Sequence, residues 1–250
     1  MIETDPRTPV LATVESSYTS WAADYIERFG SAELADPEDR ALIGAWADGL
    51  HGPVLDAGCG PGHWSAFLHA RGLTVEGVDA TAAFVAHAAR VFPAVPFRVH
   101  DLRTLPMAPG SLGGVLAWFS LIHIDPSETR GVLQTFSDGL RPGGGLALGY
   151  FSGDRLQPFD HRVVTAWAWP VAEMVQAVEE VGLEVTRTEE RRTPTGRIAA
   201  ALLARRPVQA SPSTQSDTIG GIPNLGEPAP WSFSRSDSSA SSSAPRTPFV

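Results

Sequence analysis

The sequence predicts a doubly wound α/β fold: a mostly parallel sheet with helices on both faces and an antiparallel strand near one edge. Three observations predict it. Short apolar runs alternate with helix-length segments, the order that winds a parallel sheet covered on both sides. A glycine-rich turn, "VLDAGCGPGHW" at residues 54–64, follows the first run. An acid closes each of the first three runs: Asp56, Asp79 and Asp101.

The elements follow in order. "SSYTSWAADYIERF" places Tyr18, Trp21, Ala22, Tyr25 and Ile26 at the spacing of an amphipathic helix. "PEDRALIGAWADGL" repeats that pattern, with Asp36 ahead of Pro37 as a start signal. Strands are expected at 53–57, 74–80, 96–101, 113–120 and 145–151. Between them, "HWSAFLHARG", "TAAFVAHAARVF" and "SETRGVLQTFSDGL" read as helices, whereas "LRTLPMAPGSL" is too rich in Pro and Gly. "WPVAEMVQAVEEVG" is a further helix, and "LEVTRTEERR" and "GRIAAALLARR" pair as an antiparallel ribbon across "TPTG".

The chain is 43% hydrophobic and 19% charged over 250 residues, which suits one domain with a sizeable core. A net charge of −9 disfavours an electrostatic hold on nucleic acid, and no such partner is expected. Cys59, the single cysteine, excludes an internal disulfide and reads as a compact loop residue. The start, "MIETDPRTPV", has neither a basic region nor an apolar core, so no signal peptide is expected. No run reaches bilayer length, and the expected location is the cytoplasm. From Val208 onward Ser, Pro, Gly and Thr dominate, too little apolar surface to offset chain entropy. The expected organisation is an arm at 1–14, a domain at 15–207 and a disordered tail at 208–250.

In a parallel sheet every strand ends on the same edge, where ligands bind. Asp56, Asp79 and Asp101 line that rim beside the glycine turn. A dinucleotide site also joins a glycine turn to an acid about 20 residues on. Here the pattern is G-x-G-x-G, and Asp56 would set negative charge where a diphosphate sits. A P-loop is excluded, because no G-K-[ST] is present. A ligand with free ribose hydroxyls, no phosphate and a positive centre fits better, and S-adenosylmethionine is such a molecule.

Residues 15–205 resemble a class I S-adenosylmethionine-dependent methyltransferase. "VLDAGCGPG", "VEGVDAT", "FRVHDL", "GGVLAWFSLIHI" and "LRPGGGLAL" carry the resemblance, in order. It implies a seven-stranded sheet of order 3-2-1-4-5-7-6, the last strand antiparallel, and S-adenosyl-L-methionine as cofactor. The donor-binding candidates are then Tyr18, Asp56, Gly58, Gly60, Asp79, Ala80, Asp101, Leu102 and Trp118. Gly58 and Gly60 would let backbone approach the donor where a Cβ would collide with it. Asp79 would accept from both ribose hydroxyls and Asp101 from the adenine amino group. Ala80 and Leu102 would flank the purine, and Tyr18, with Ala22 and Tyr25, would close over the donor. Trp118 would set its aromatic face toward the sulfonium, since alternation turns only one of Trp118 and Phe119 into the cleft.

The implied activity is transfer of a methyl group to a small-molecule O, N or C acceptor. His123 is the candidate base and His161 and Arg162 are candidate acceptor contacts. His63 and His100 read as structural. No metal site is expected, and oligomeric state is not readable. Two other readings stay open: a catalytically silent donor-binding scaffold, and an NAD-dependent oxidoreductase.

Overall fold

The structure is a computed structural model that describes residues 35–160 and 165–208. The expected arm, the helix bearing Tyr18, the acceptor candidates His161 and Arg162, and residues 209–250 lie outside the described residues.

Helix α1 (Pro37–Asp48) starts where the sequence marks it. The Asp36 carboxylate accepts from the Glu38 amide at 2.9 Å, and Pro37 takes the first position, where no amide partner is needed. Three strand–helix units and one lone strand follow: β1 (Val54–Ala57) and α2 (His63–Ala70), β2 (Val75–Asp79) and α3 (Ala82–Val91), β3 (Phe97–Val99) alone, and β4 (Leu112–Trp118) with α4 (Pro126–Gly139). A single 3₁₀ turn, Leu121–His123, joins β4 to α4, which Asp125 caps through the Ser127 amide at 2.9 Å. Then come β5 (Leu140–Ser152), β6 (Gln157–Phe159), β7 (Ala166–Trp169), α5 (Val171–Glu180), β8 (Glu184–Arg192) and β9 (Ile198–Arg205).

The nine strands among the described residues belong to one sheet. β3, β2, β1, β4 and β5 lie side by side and run parallel. Two arms leave β5. β9 pairs antiparallel along it from Gly145 to Ser152, and β8 lies antiparallel beyond β9. With β8 and β9 as the sixth and seventh strands, this is the expected 3-2-1-4-5-7-6 order, the last strand antiparallel. The second arm is a ribbon that the sequence does not announce. β7 pairs parallel with Phe151 and Ser152, and β6 pairs antiparallel with β7. Because β9 holds the other flank of those residues, the ribbon occupies the flank that β4 vacates after Trp118.

The two faces of the sheet have separate cores. Val115 and Ala117 of β4 pack with Leu133 and Phe136 of α4 and with Met174 and Val178 of α5. Leu116, one residue out of phase, joins Ile43 and Trp46 of α1 and Trp64 and Leu68 of α2. Apolar residues of β4 thus point both ways, the reason its sequence is a continuous run rather than an alternation. Strand glycines make room for indoles on the second face: a Cβ at Gly149 would sit 2.8 Å from the Trp118 ring.

Candidate active site

The C-terminal ends of β1 and β2 are stitched together by the glycine turn. The amides of Gly58 and Cys59 both donate to the Val78 carbonyl, at 2.7 and 2.9 Å. The Gly60 amide donates to Asp79 Oδ2 at 2.9 Å, and the Thr81 amide to Asp79 Oδ1 at 2.7 Å. Each Asp79 oxygen therefore has one backbone donor. Burial raises the Asp79 pKa, against the lowering effect of those two amides and of the Thr81 hydroxyl.

The glycines of the turn serve different ends. Gly58, Gly60 and Gly62 all have left-handed φ, +80°, +52° and +87°. At Gly58 a Cβ would lie 2.2 Å from the Ser120 Cβ, so the protein itself already excludes a side chain at this position. At Gly60 a Cβ would meet nothing within 4 Å. Open space thus faces the turn at Gly60, directly beside the Asp79 carboxylate. Ser120 Oγ and His63 Nδ1 are buried next to this turn without a hydrogen-bond partner among the described residues. Burial brings the His63 pKa down to about 4, so its ring is neutral at physiological pH.

Asp56 lies beneath the turn, 1% exposed, and its Oδ2 accepts from Ser65 Oγ at 2.5 Å. Desolvation, reinforced by the charge of Asp79 and opposed by the Ser65 hydroxyl, raises its pKa to about 7. The Cys59 thiol is also pushed up by burial and by the two aspartates, which keeps it protonated and unreactive.

The remaining donor candidates are distributed unevenly. Ala80 is half-buried at the end of β2. Asp101 follows β3, but its carboxylate is held by Arg103, whose Nε donates to Oδ1 and Oδ2 at 3.1 and 3.0 Å and whose NH1 reaches Glu128 at 3.1 Å. Leu102 is 7% exposed, packed into the core with Val78 and Leu105. Trp118 belongs to the face that packs on α1 and α2. Its ring lies 6.4 Å from that of Trp64, and its Nε1 donates to Asp39 Oδ2 at 3.2 Å. Asp39, 6% exposed, also takes both terminal nitrogens of Arg191 from β8, and Asp36 takes Arg191 Nε at 3.3 Å. Sequence reasoning missed this cluster, because an acid in the first turn of a helix reads as a dipole partner and Arg191 stands 152 residues away.

His123 closes the 3₁₀ turn after β4, and its Nδ1 lies 2.9 Å from the Thr165 carbonyl oxygen. A carbonyl only accepts, so Nδ1 carries the proton and the lone pair is on Nε2. Burial lowers the His123 pKa, which the Thr165 contact partly opposes. The residue before His123 in this region that breaks pattern is Phe119. At φ +54° it is the one non-glycine with left-handed φ among the described residues.

Residues 54–144 match the family described as methyltransferase domain. Similar proteins include a malonyl-[acyl-carrier protein] O-methyltransferase of Enterobacter lignolyticus, 33% identical over 103 residues, 41% of this chain and 40% of that protein. A 2-heptyl-1-hydroxyquinolin-4(1H)-one methyltransferase of Mycobacteroides abscessus is 32% identical over 135 residues, 52% of this chain and 59% of that one. The chain thus spans about half the length of these curated relatives. In fold, it resembles the 1,6-didemethyltoxoflavin-N1-methyltransferase of Burkholderia thailandensis, solved with 1,6-didemethyltoxoflavin and S-adenosylhomocysteine bound. The TM-score is 0.68 at 21% identity, covering 83% of this chain and 93% of that one. The chain therefore shares the Rossmann-like fold of that structure, a mostly parallel sheet with helices on both faces. Among the described residues, no helix is long and apolar enough to cross a membrane.

Proposed function

We propose that this domain binds S-adenosylmethionine at the glycine turn and moves its methyl group, in line, to an O, N or C atom of a small-molecule acceptor. The observation that carries the reading is the Gly60 amide on Asp79 Oδ2 at 2.9 Å, which seats a carboxylate beside the open space at Gly60. When bound, S-adenosylmethionine supplies a methyl carbon on a sulfonium sulfur; the acceptor–carbon bond forms as the carbon–sulfur bond breaks, its electron pair staying on sulfur.

The chain's own residues would do the rest. Asp79 accepts from the ribose hydroxyls as a charge-assisted pair. Its carboxylate makes the rim negative, which favours a cationic ligand. Ser120 Oγ and His63 Nδ1, both buried beside the turn, offer further polar contacts to the donor. Asp101 serves the purine only if it keeps a lone pair beyond its bonds to Arg103. His123 Nε2 takes the acceptor proton, its orientation held by Thr165. Because the donor arrives activated, positioning and exclusion of water carry much of the rate. Similar proteins are methyltransferases of 2-heptyl-1-hydroxyquinolin-4(1H)-one, of malonyl-[acyl-carrier protein] and of trans-aconitate, which supports a carboxylate or aromatic acceptor.

The test is calorimetry of S-adenosylmethionine binding to the full chain and to Asp79→Ala. Loss of binding in the variant is expected; undiminished binding would overturn the site. Preference for NAD in a competition titration would move the protein to the oxidoreductases. Donor binding without labelled product across a broad acceptor panel would identify a silent scaffold.

A further inference from the structure

We infer that Asp39 is a positioning residue for the glycine turn: gripped by Arg191, it fixes the Trp118 indole, and the indole holds both ends of the turn. The inference rests on the methyl-transfer reading above, because it says how the proposed donor site keeps its shape.

Trp118 reaches the turn by two routes. Along the chain it is followed by Phe119 and Ser120, and Ser120 Cβ lies 2.2 Å from where a Gly58 Cβ would be. Through its ring it meets Trp64, 6.4 Å away and inclined at 70°. Trp64 is the second residue of α2, and Gly62, the last glycine of the turn, caps the start of that helix. Gly60, with open space before it, lies between these two supports. A shift of Trp118 therefore moves Ser120 at one end of the turn and Trp64 at the other.

The strand alone does not hold the indole. β4 last pairs with β1 at Leu116 and with β5 at Trp118. The Phe119 amide still donates to the Gly149 carbonyl at 2.9 Å, and there the chain turns away with φ +54°. Gly149 leaves room beneath the indole, where a Cβ would come within 2.8 Å of the ring, and Trp64 bounds its edge. Both are apolar walls along which a ring can slide. Nε1 is the one polar atom of the side chain, and it donates to Asp39 Oδ2 at 3.2 Å. That bond selects one position for the ring.

Asp39 can impose a position because its own is fixed. It is buried in the first turn of α1, and Arg191 grips both its oxygens, NH2 on Oδ2 at 2.9 Å and NH1 on Oδ1. A guanidinium fork on a carboxylate has a narrow range of good geometry. Arg191 Nε also reaches Asp36, the residue that caps α1, at 3.3 Å. The start of α1, the end of β4 and the end of β8 thus meet at one carboxylate. The other end of α1 supplies a contrast: Asp48 pairs with Arg71 NH2 at 2.6 Å on the surface and takes no part in seating Trp118.

The experiment uses the full chain and calorimetry with S-adenosylhomocysteine. Binding to the parent is measured first; its absence would overturn the methyl-transfer reading and this inference with it. Trp118→Phe keeps a ring and removes Nε1, whereas Asp39→Asn keeps the shape and removes the charge that Arg191 grips. Each should weaken S-adenosylhomocysteine about tenfold under conditions where urea denaturation shows the variant fully folded. The double variant should lose no more than the worse single one, because both changes cut the same bond. Asp48→Ala should bind as the parent does. The Trp118 indole N–H resonance, identified as the one missing from Trp118→Phe, should shift in Asp39→Asn and also when S-adenosylhomocysteine is added to the parent. With parent binding intact, any one of four results would overturn the inference alone. These are parent-like affinity in Trp118→Phe or Asp39→Asn, additive losses in the double variant, an equal loss in Asp48→Ala, and an indole resonance that does not respond to the ligand.

Discussion

Asp56→Asn tests the electrostatics beneath the glycine turn. In the folded chain the Asp56 carboxyl, 1% exposed, has its pKa raised from an ordinary 3.8 to about 7, chiefly by desolvation. At roughly 1.4 kcal/mol per pH unit, the rise corresponds to about 4 kcal/mol. The sign follows from linkage. A carboxyl whose folded pKa exceeds its unfolded value binds a proton more readily in the folded state, so it imposes no penalty below about pH 4. The penalty grows as pH rises toward 7 and is complete above 7. Asn keeps an oxygen that can accept from Ser65 Oγ but has no charge to bury. Any fixed cost of its amide group is independent of pH and drops out of the slope. Urea denaturation of both proteins from pH 4.5 to 8 should therefore show the stability difference, variant minus parent, climbing about 1.4 kcal/mol per pH unit up to pH 7 and levelling above it. Against a typical total of about 5–15 kcal/mol, the whole change is large. A difference that stays level with pH, or that falls as pH rises, would show that Asp56 is ionised normally and would refute the reasoning.

Three further outcomes follow from the same geometry. Gly58→Ala, with its new methyl 2.2 Å from Ser120 Cβ, should lose about 2–4 kcal/mol in urea denaturation, whereas Gly60→Ala, facing open space, should lose only about 1–2 kcal/mol of backbone strain yet impair donor binding more. Asp39→Ala leaves Arg191 and Trp118 Nε1 short of an acceptor and should cost about 2 kcal/mol; the figure is below that of a fully buried pair because Arg191 is 26% exposed. A double variant with Arg191→Ala should cost less than the sum of the single changes. His123→Ala should lower kcat by about 10²–10⁴ with donor affinity retained, and should remove the limb of the pH–rate profile that reports this ring, which the parent shows below the usual histidine range.

The parallel half of the fold was legible because β1, β4 and most of β5 are buried on both faces and read as near-continuous apolar runs between helix-length spacers. The closing pair β8–β9 was legible from its "TPTG" turn. The ribbon was not: Gln157–Phe159 is three residues long and contains Pro158, and four residues of β7 resemble the start of the next helix. In the candidate site, Asp79 and the glycine turn could be placed from spacing alone, since consecutive parallel strands must bring their ends together. The environment of Trp118 could not. Alternation says that Trp118 and Phe119 face opposite ways, but Asp39 and the left-handed φ of Phe119 decide what each ring meets. At Gly58, similarly, the sequence points to an excluded Cβ without naming Ser120 as a group that excludes it.

Among the described residues the forked sheet ends in three flanks, at β3, β6 and β8, where peptide groups without a neighbouring strand invite another copy to dock. Each flank is a poor template. β3 is three residues long, β6 carries a proline that cannot donate, and β8 reads "EVTRTEERR", six charges in nine residues. A chain that adds a ribbon to its sheet adds a flank to guard, and here the guarding residue, Pro158, lies next to Phe159. Replacing that proline to reshape the ribbon would open the flank, and the first symptom would be aggregation rather than altered catalysis.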